Sequence, residues 1–310
     1  MGHVFSFDWE ITLMELLQRV GSAGDTVAAF FTLFGEEVLL IGVLGLIYWG
    51  INKHWARQAF TSFAIASLSG CMLKNVLLRR RPYMDHETIR CGRLHTPGAD
   101  PLDVSAQGFS CPSLHAAHTM SLYGTLATLV KKKWFTVCTA ALLLLIGLSR
   151  VILGVHYPTD ILLGWTLGVL AIFVGGWLIR HVHHPLAIMA ILAAAALPGW
   201  FFCVSSDFYT IYGLLFGMYL SFWLDDRFVH FSNTRSIPRM AVRTALGVVV
   251  FLILSTVTKL PFPKELLNGS DLAAHIVRLL RYAVISFVTI GVFPMAFPLL
   301  DRIVPGRKDT

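Results

Sequence analysis

Charged residues are scarce in this 310-residue chain: Asp, Glu, Lys and Arg make up 14% of it, against 55% hydrophobic residues. Ordinary soluble domains carry about a quarter charged residues, so this composition fits a bilayer as solvent. Cysteine is sparse too. The five cysteines show no CxxC spacing, which gives no zinc site. Cys71, Cys138 and Cys203 fall in or beside apolar runs, whereas Cys91 and Cys111 share one polar connection and are either a disulfide pair or two unpaired small residues. Internal repeats and low-complexity tracts are missing. The first 28 residues lack a basic start and an unbroken apolar core and carry Asp8, Glu10, Glu15 and Asp25, so no cleavable signal is expected and the first spanning helix should direct insertion. The formal charge of +7 resides in short connections between apolar runs, where Lys and Arg act as topology signals; nucleic acid is not an expected partner.

What the chain has in quantity is apolar sequence of spanning length. An amphipathic segment at 7–20 precedes runs at about 29–49, 55–78, 115–130, 134–153, 158–179, 185–204, 208–224, 240–257 and 277–300. These predict an all-α integral membrane fold of nine helices rather than a β-barrel. Glu36 and Glu37 lie inside the first run and need partners or water at that depth. Basic residues recur in every second connection: Lys53 and Arg57, Lys131 to Lys133, Arg180, then Arg227, Arg235 and Arg239, with Arg302, Arg307 and Lys308 at the end. This pattern puts the N-terminus outside, the C-terminus in the cytoplasm, and the long polar connection with Gly98, Pro101 and Gly108 on the outer face. Trp49, Trp55, Trp134, Trp177 and Trp200 sit near predicted helix ends, as interfacial anchors do.

Three segments concentrate polar residues, and this topology brings all three to the outer face: Lys74 to Arg81-Pro82, Pro112-Ser113-Leu114-His115, and Ser149-Arg150 with His156 and Asp160. Lys74 and Arg81, seven residues apart, would share nearly one face of a continuing helix and could hold one anion together. Arg79 and Arg80 would point elsewhere and snorkel to the headgroups, an explanation that also serves for the whole cluster. Pro112 suits a first helical turn with Ser110 as N-cap, leaving the amides of Ser113 and Leu114 near an electropositive helix start. His115 at that rim is a reactive group or an interfacial histidine. With His118 it lacks the carboxylate or cysteine that would complete a metal set. Pro158 opens the next helix with Asp160 in its first turn, either as a dipole-favoured acid or reaching back to His156, where it would fix the tautomer and leave the second nitrogen as a nucleophile.

The order and spacing of these segments resemble the type 2 phosphatidic acid phosphatase (PAP2) superfamily, whose pattern is Lys-x6-Arg-Pro, Pro-Ser-x-His and Ser-Arg-x5-His-x3-Asp. Every defining position is filled. Leu114 stands where many members have glycine, adding an apolar wall. The resemblance covers roughly residues 29–204, a six-helix transmembrane core in that family, which makes 1–28 an N-terminal segment and 205–310 about three additional helices. It implies that His156 attacks phosphorus and is transiently phosphorylated, that Asp160 orients it, and that His115 protonates the leaving oxygen and later activates water. It further implies that Lys74, Arg81, Ser113 and Arg150 hold the phosphate oxygens, with no metal and no cofactor.

The expected activity is therefore hydrolysis of a lipid phosphate or pyrophosphate monoester at the outer membrane–water interface. Phosphatidate, phosphatidylglycerol phosphate, sphingoid phosphates and polyprenyl pyrophosphates all fit, and the partners are lipid substrate, membrane lipids and, for the extra helices, a lipid entrance or a homodimer contact. A phosphotransferase using the same phosphohistidine and a lipid-phosphate transporter are the alternatives; simple anion binding needs neither His156 nor Asp160. Basic loops and an outward headgroup site suit a bacterial cytoplasmic membrane, and a lumen-facing organellar site fits the same pattern.

Overall fold

The computed structural model describes residue 2, residues 5–92 and residues 100–304; Gly98, Arg307 and Lys308 lie outside them. The described residues contain helices and no strand. In chain order these are α1 (Asp8–Gln18), α2 (Gly21–Thr32), α3 (Glu37–Gly45), α4 (Lys53–Leu77), α5 (Pro82–Asp85), α6 (Val104–Gln107), α7 (Leu114–Val130), α8 (Lys133–Ile152), α9 (Pro158–His181) and α10 (Pro185–Ala196). They are followed by α11 (Ser206–Leu224), α12 (Ile237–Val257), α13 (Lys264–Asn268), α14 (Leu272–Ser286) and α15 (Phe297–Ile303).

All nine predicted apolar runs are helical, but they differ in reach. Among the described residues five helices are long and apolar enough to cross a membrane: Lys53–Leu77, Lys133–Ile152, Pro158–His181, Ile237–Val257 and Leu272–Ile303. The count becomes six if Gly21–Gly35 and Glu37–Ile51, broken at Glu36, form one span. The remaining runs, Leu114–Val130 and Ser206–Leu224 among them, carry many polar, glycine and tyrosine positions that lower their hydropathy, and Pro185–Phe201 is a shorter apolar helix. The protein is an all-α, multi-pass membrane protein.

The chain forms two compact units, one of residues 1–36 and 65–174, the other of residues 37–64 and 175–310. In the first unit α8 packs against α1, α2 and α7. Helix α1 buries Glu10, Met14 and Gln18, one stripe at i, i+4 and i+8, while Trp9 and Leu16 stay exposed. Met14 joins Ile89, Ala116, Val151, Tyr157 and Ile161 in the core. Gln18 ties the polar connection down: its amide donates to the carbonyls of Arg90 and Ile152 at 2.8 Å each and accepts from the Arg90 amide at 2.9 Å. Gly154, at φ +72°, lets that strap approach, because a Cβ there would overlap the Arg90 carbonyl. Cys91 and Cys111 are not joined by a disulfide.

In the second unit α11 lies against α14 through Gly213 and Gly217, a Gly-x-x-x-Gly pair. A Cβ at Gly213 would overlap the Leu279 carbonyl, and one at Gly217 would overlap Ser286 Oγ and the Ala283 carbonyl. Asp225 and Asp226 are adjacent in sequence but differ in burial. Asp225 is buried and receives Lys53 Nζ at 2.7 Å, while the more exposed Asp226 pairs with Arg57 at 2.6 Å. The reason is that the last turn of α11 widens into a π-helix at Asp225–Val229, turning Asp225 inward.

Replacing Gly217 by Val is expected to lower the apparent unfolding midpoint in detergent, the overpacking costing about 1–3 kcal/mol. Gly42→Ala should leave the midpoint unchanged, since its added carbon would meet only Val248 at 3.7 Å.

Candidate active site

Each of the three polar segments is placed by a helix end, and direct hydrogen bonds join them. Helix α4 stops at Leu77 because Leu78 takes a left-handed conformation, φ 51°. Lys74 and Arg81 therefore do not share a continuing helix face; Arg81 is extended and precedes Pro82, which opens α5. From there the Arg81 guanidinium donates to the carbonyls of Gln107 at 2.8 Å, Gly108 at 3.0 Å and Val155 at 3.1 Å, fastening the polar connection beside His156. Helix α7 starts at Leu114, with its cap three residues later than expected. Ser113, not Ser110, is its N-cap, accepting from the Ala116 amide at 3.5 Å, and Pro112 lies before the helix. Ser110 instead donates to the carbonyl of Arg80 at 3.0 Å, and the Ser113 amide donates to the Asp160 carbonyl at 3.0 Å.

His156 sits in the turn between α8 and α9 and is almost fully buried. Its Nδ1 faces Asp160 Oδ2 at 3.6 Å, just beyond hydrogen-bond length, and has no nearer partner among the described residues. Burial first, then the cations Arg81, Arg150 and Lys74, with His115, hold the imidazole well below the ordinary histidine range, so it is neutral at physiological pH. Asp160 is fixed on every side. Its Oδ2 accepts the Tyr157 amide at 2.9 Å, its Oδ1 accepts Arg79 at 2.7 Å, and the Cys111 thiol, pushed up to about 12 by burial and by Asp160 itself, stays protonated and bonds to it.

Arg79 does not snorkel. It is 1% exposed, stacked at 3.7 Å over the Tyr157 ring, and it donates to the Phe5 carbonyl, the Thr159 hydroxyl, Asp160 and Glu10. Glu10 on α1 closes the network, accepting Arg79 at 2.7 Å and the amide and hydroxyl of Thr159 at 3.1 and 2.6 Å. Burial alone would raise the Glu10 carboxyl, but Thr159, the Phe7 amide and Arg79 together hold it below the usual carboxylate range. Arg80 is partly exposed and pairs with Asp85 at 3.0 Å rather than reaching for headgroups.

His115 lies at the start of α7, with Nε2 3.2 Å from Glu36 Oε1, so the acid in the first apolar run has found a partner. Gly35 permits this approach, since a Cβ there would stand 2.8 Å from the His115 ring. Arg150 on α8 is buried and donates to Thr32 Oγ1 at 2.6 Å; Lys74 is likewise buried at the end of α4. The two histidines, the carboxylate and three cations thus belong to one cluster within a single compact unit. Among the described residues no group of three or more His, Cys, Asp and Glu could hold a metal ion. Glu10, Arg79, Thr32, Gly35 and Glu36 are additions to the site foreseen from sequence. The signals available for them were a glutamate on the buried stripe of α1 and an acid inside an apolar run.

The sequence profile of the PAP2 superfamily matches residues 55–184, and that of the PAP2 superfamily phosphatase transmembrane extension matches residues 209–302. Decaprenylphosphoryl-5-phosphoribose phosphatase of Mycobacterium tuberculosis is 34% identical over 142 residues, 44% of this chain and 69% of that protein. The chain belongs to the PAP2 superfamily. It is also 31% identical over 142 residues to undecaprenyl-diphosphatase of Sulfolobus acidocaldarius, covering 45% of this chain and 63% of that protein. Similarity to lipid A 4′-phosphatase of Bacteroides thetaiotaomicron is 34% over 79 residues, 26% of this chain and 33% of that protein. The chain thus spans from a third to somewhat under two thirds of the length of these last two relatives. No solved structure matches it significantly. Within this PAP2 chain, α1 and Glu10 lie outside both matched regions.

Arg79→Met would leave two buried carboxylates without their cation. The expected cost is about 3–5 kcal/mol of stability, read as a lowered unfolding midpoint in detergent, whereas Arg80→Met, which removes a partly exposed cation from a single carboxylate, should lower it less.

Proposed function

We propose that this protein hydrolyses a lipid phosphate or lipid diphosphate at the membrane–water interface through a phosphohistidine intermediate. The observation that carries this reading is the buried, neutral His156 facing a fixed Asp160 carboxylate amid the charges of Lys74, Arg81 and Arg150. A proton on Nδ1, directed at Asp160, leaves the Nε2 lone pair for attack on phosphorus. As the N–P bond forms, the P–O bond to the lipid breaks and His115 gives its proton to the leaving oxygen. His115 then takes a proton from water, the water oxygen attacks phosphorus, and the N–P bond breaks to release orthophosphate and neutral His156. Lys74, Arg150 and Arg81, with Ser113 and the nearby amides, oppose the negative charge on the nonbridging oxygens, positioning and charge stabilisation being what phosphoryl transfer requires. Glu36 supports the proton-transfer role by holding the His115 ring.

Names of the relatives, which include a lipid A phosphatase, an undecaprenyl-diphosphatase and a decaprenylphosphoryl-phosphoribose phosphatase, support a lipid-linked phosphate as the substrate class. We place the site on the outer face of a bacterial cytoplasmic membrane, on the strength of the basic connections at Lys53 and Arg57, Lys131 to Lys133 and Arg180. The functional division into a catalytic core at 29–204 and appended helices at 205–310 is supported by the separate matches at 55–184 and 209–302.

Purified protein with a panel of lipid phosphates and diphosphates is expected to release inorganic phosphate with chelator present. His156→Ala should lower kcat at least about 1,000-fold and His115→Ala about 100- to 10,000-fold. Loss of phosphate from the lipid only after addition of a lipid or glycan acceptor, with the phosphate recovered on that acceptor and none released as orthophosphate, would favour phosphotransfer; release abolished by chelator would sink the metal-free mechanism. The pH profile of kcat/KM should be bell-shaped. Its acid limb reports protonation of the free nucleophile; because His156 is lowered in the fold, that limb should lie below the ordinary histidine value of 6.5, activity falling only as the pH drops through the lowered value.

A further inference from the structure

Glu10 belongs to the N-terminal helix, outside the region matched by the family profile, yet it is fully buried and reaches the centre of the site through Arg79. We infer that Glu10 is a positioning residue of the phosphoryl-transfer site: by neutralising Arg79 it leaves Asp160 with the net negative charge that balances the cationic phospho-His156. The inference rests on the proposed phosphohistidine reaction and adds to it the part played by the N-terminal helix.

The argument is a charge count in a buried space. Arg79 lies 2.7 Å from Asp160 Oδ1 and 2.7 Å from Glu10 Oε2, and all three side chains are at most 1% exposed. An Arg79–Asp160 pair alone is neutral and offers little to a developing imidazolium. With Glu10 the trio carries one net negative charge, and Asp160 Oδ2, which also accepts the Tyr157 amide, lies 3.6 Å from His156 Nδ1. The other groups that act most strongly on His156 are Arg81 from the turn after α4, Arg150 from α8, Lys74 from α4 and His115 from α7. All of these are cationic or can become so. They suit the phosphate oxygens and disfavour a cation on the ring, so the counterion must come from the Asp160 side. Glu10 is suited to remain ionised, since Thr159 supplies two donors to its second oxygen and the Phe7 amide and Arg79 supply donors to the first. Thr159 bonds both Glu10 and Arg79, so the first turn of α9 holds the trio in register.

The test compares full-length wild type with Glu10→Gln, Glu10→Asp, Thr159→Val and the double variant Glu10→Gln/Arg79→Gln, using phosphatidate and undecaprenyl diphosphate in detergent micelles. The His156 titration is followed directly by NMR of protein carrying isotope-labelled histidine. Glu10→Gln should lower kcat about 10- to 100-fold with KM within about twofold, and should move the His156 midpoint and the acid limb of kcat/KM down by about one pH unit. Glu10→Asp should keep both near wild type. The double variant removes one charge of each sign, so both should return towards wild type. Thr159→Val leaves the charges in place and should not move them. A Glu10→Gln midpoint equal to wild type, or an equal shift in Thr159→Val, would overturn the inference and reduce Glu10 to a packing contact. Should Glu10→Gln not fold, a double variant whose midpoint stays displaced would overturn it equally. The NMR titration needs no turnover, so absence of phosphate release by wild type, or release surviving in His156→Ala, would strike the phosphohistidine reading separately.

Discussion

A single buried guanidinium organises the first unit. Arg79 accounts for the positions of Phe5, Glu10, Tyr157, Thr159 and Asp160 at once, through hydrogen bonds of 2.7–2.8 Å and a stacked ring. A guanidinium taken out of water needs nearly all its donors satisfied, and two carboxylates at 2.7 Å supply much of that compensation. The consequence is geometric. Segments at residues 5–10, 79 and 157–160 must converge on one point, so the start of α9 and the turn bearing His156 have little freedom. The same contact that lets the charge be buried also aims a carboxylate at His156.

Around that anchor the site divides its labour by sign. Asp160 and, through Arg79, Glu10 lie on the Nδ1 side of the His156 ring, where the proposed reaction would develop a positive charge, and Lys74, Arg81 and Arg150 are the cations proposed to meet phosphate oxygens. Arg81 serves both structure and charge: it donates to three carbonyls of the connection and of the turn before His156, yet its field still lowers the basicity of that ring. His115 stands apart from the carboxylate group, partnered by Glu36 from the end of the first apolar run, and it is the more accessible of the two histidines. In the proposed reaction the buried His156 would be the nucleophile and the more accessible His115 the acid–base group.

The second unit is held by a different physics. Its α11–α14 contact depends on glycines that bring backbones together, the form of packing available when lipid removes much of the hydrophobic drive between helices. Its buried charges Asp225 and Arg243, paired with the partly exposed Lys53 and Asp301 at 2.7 and 2.6 Å, tie together residues distant in the chain.

Much of this was legible beforehand. Composition and the recurrence of spanning-length apolar runs determined an all-α membrane protein, because hydrocarbon forces backbone hydrogen bonding into helices whatever the tertiary arrangement. The three motifs, by residue type and spacing, also determined which side chains would be brought together: Lys74, Arg81, Ser113, His115, Arg150, His156 and Asp160 occur in one unit. Local rules failed where a helix had to end. A proline and two serines could not say whether α7 began at Pro112 or Leu114, and nothing in the run from Lys74 to Arg81 announced the left-handed Leu78. The partners of Arg79 were beyond any local rule, since Glu10 and Asp160 lie 69 and 81 residues from it. Periodicity reports which face of a helix avoids water; only the tertiary fold decides which buried charge meets which, because that choice is made by long-range packing and by the cost of leaving any of them unpaired.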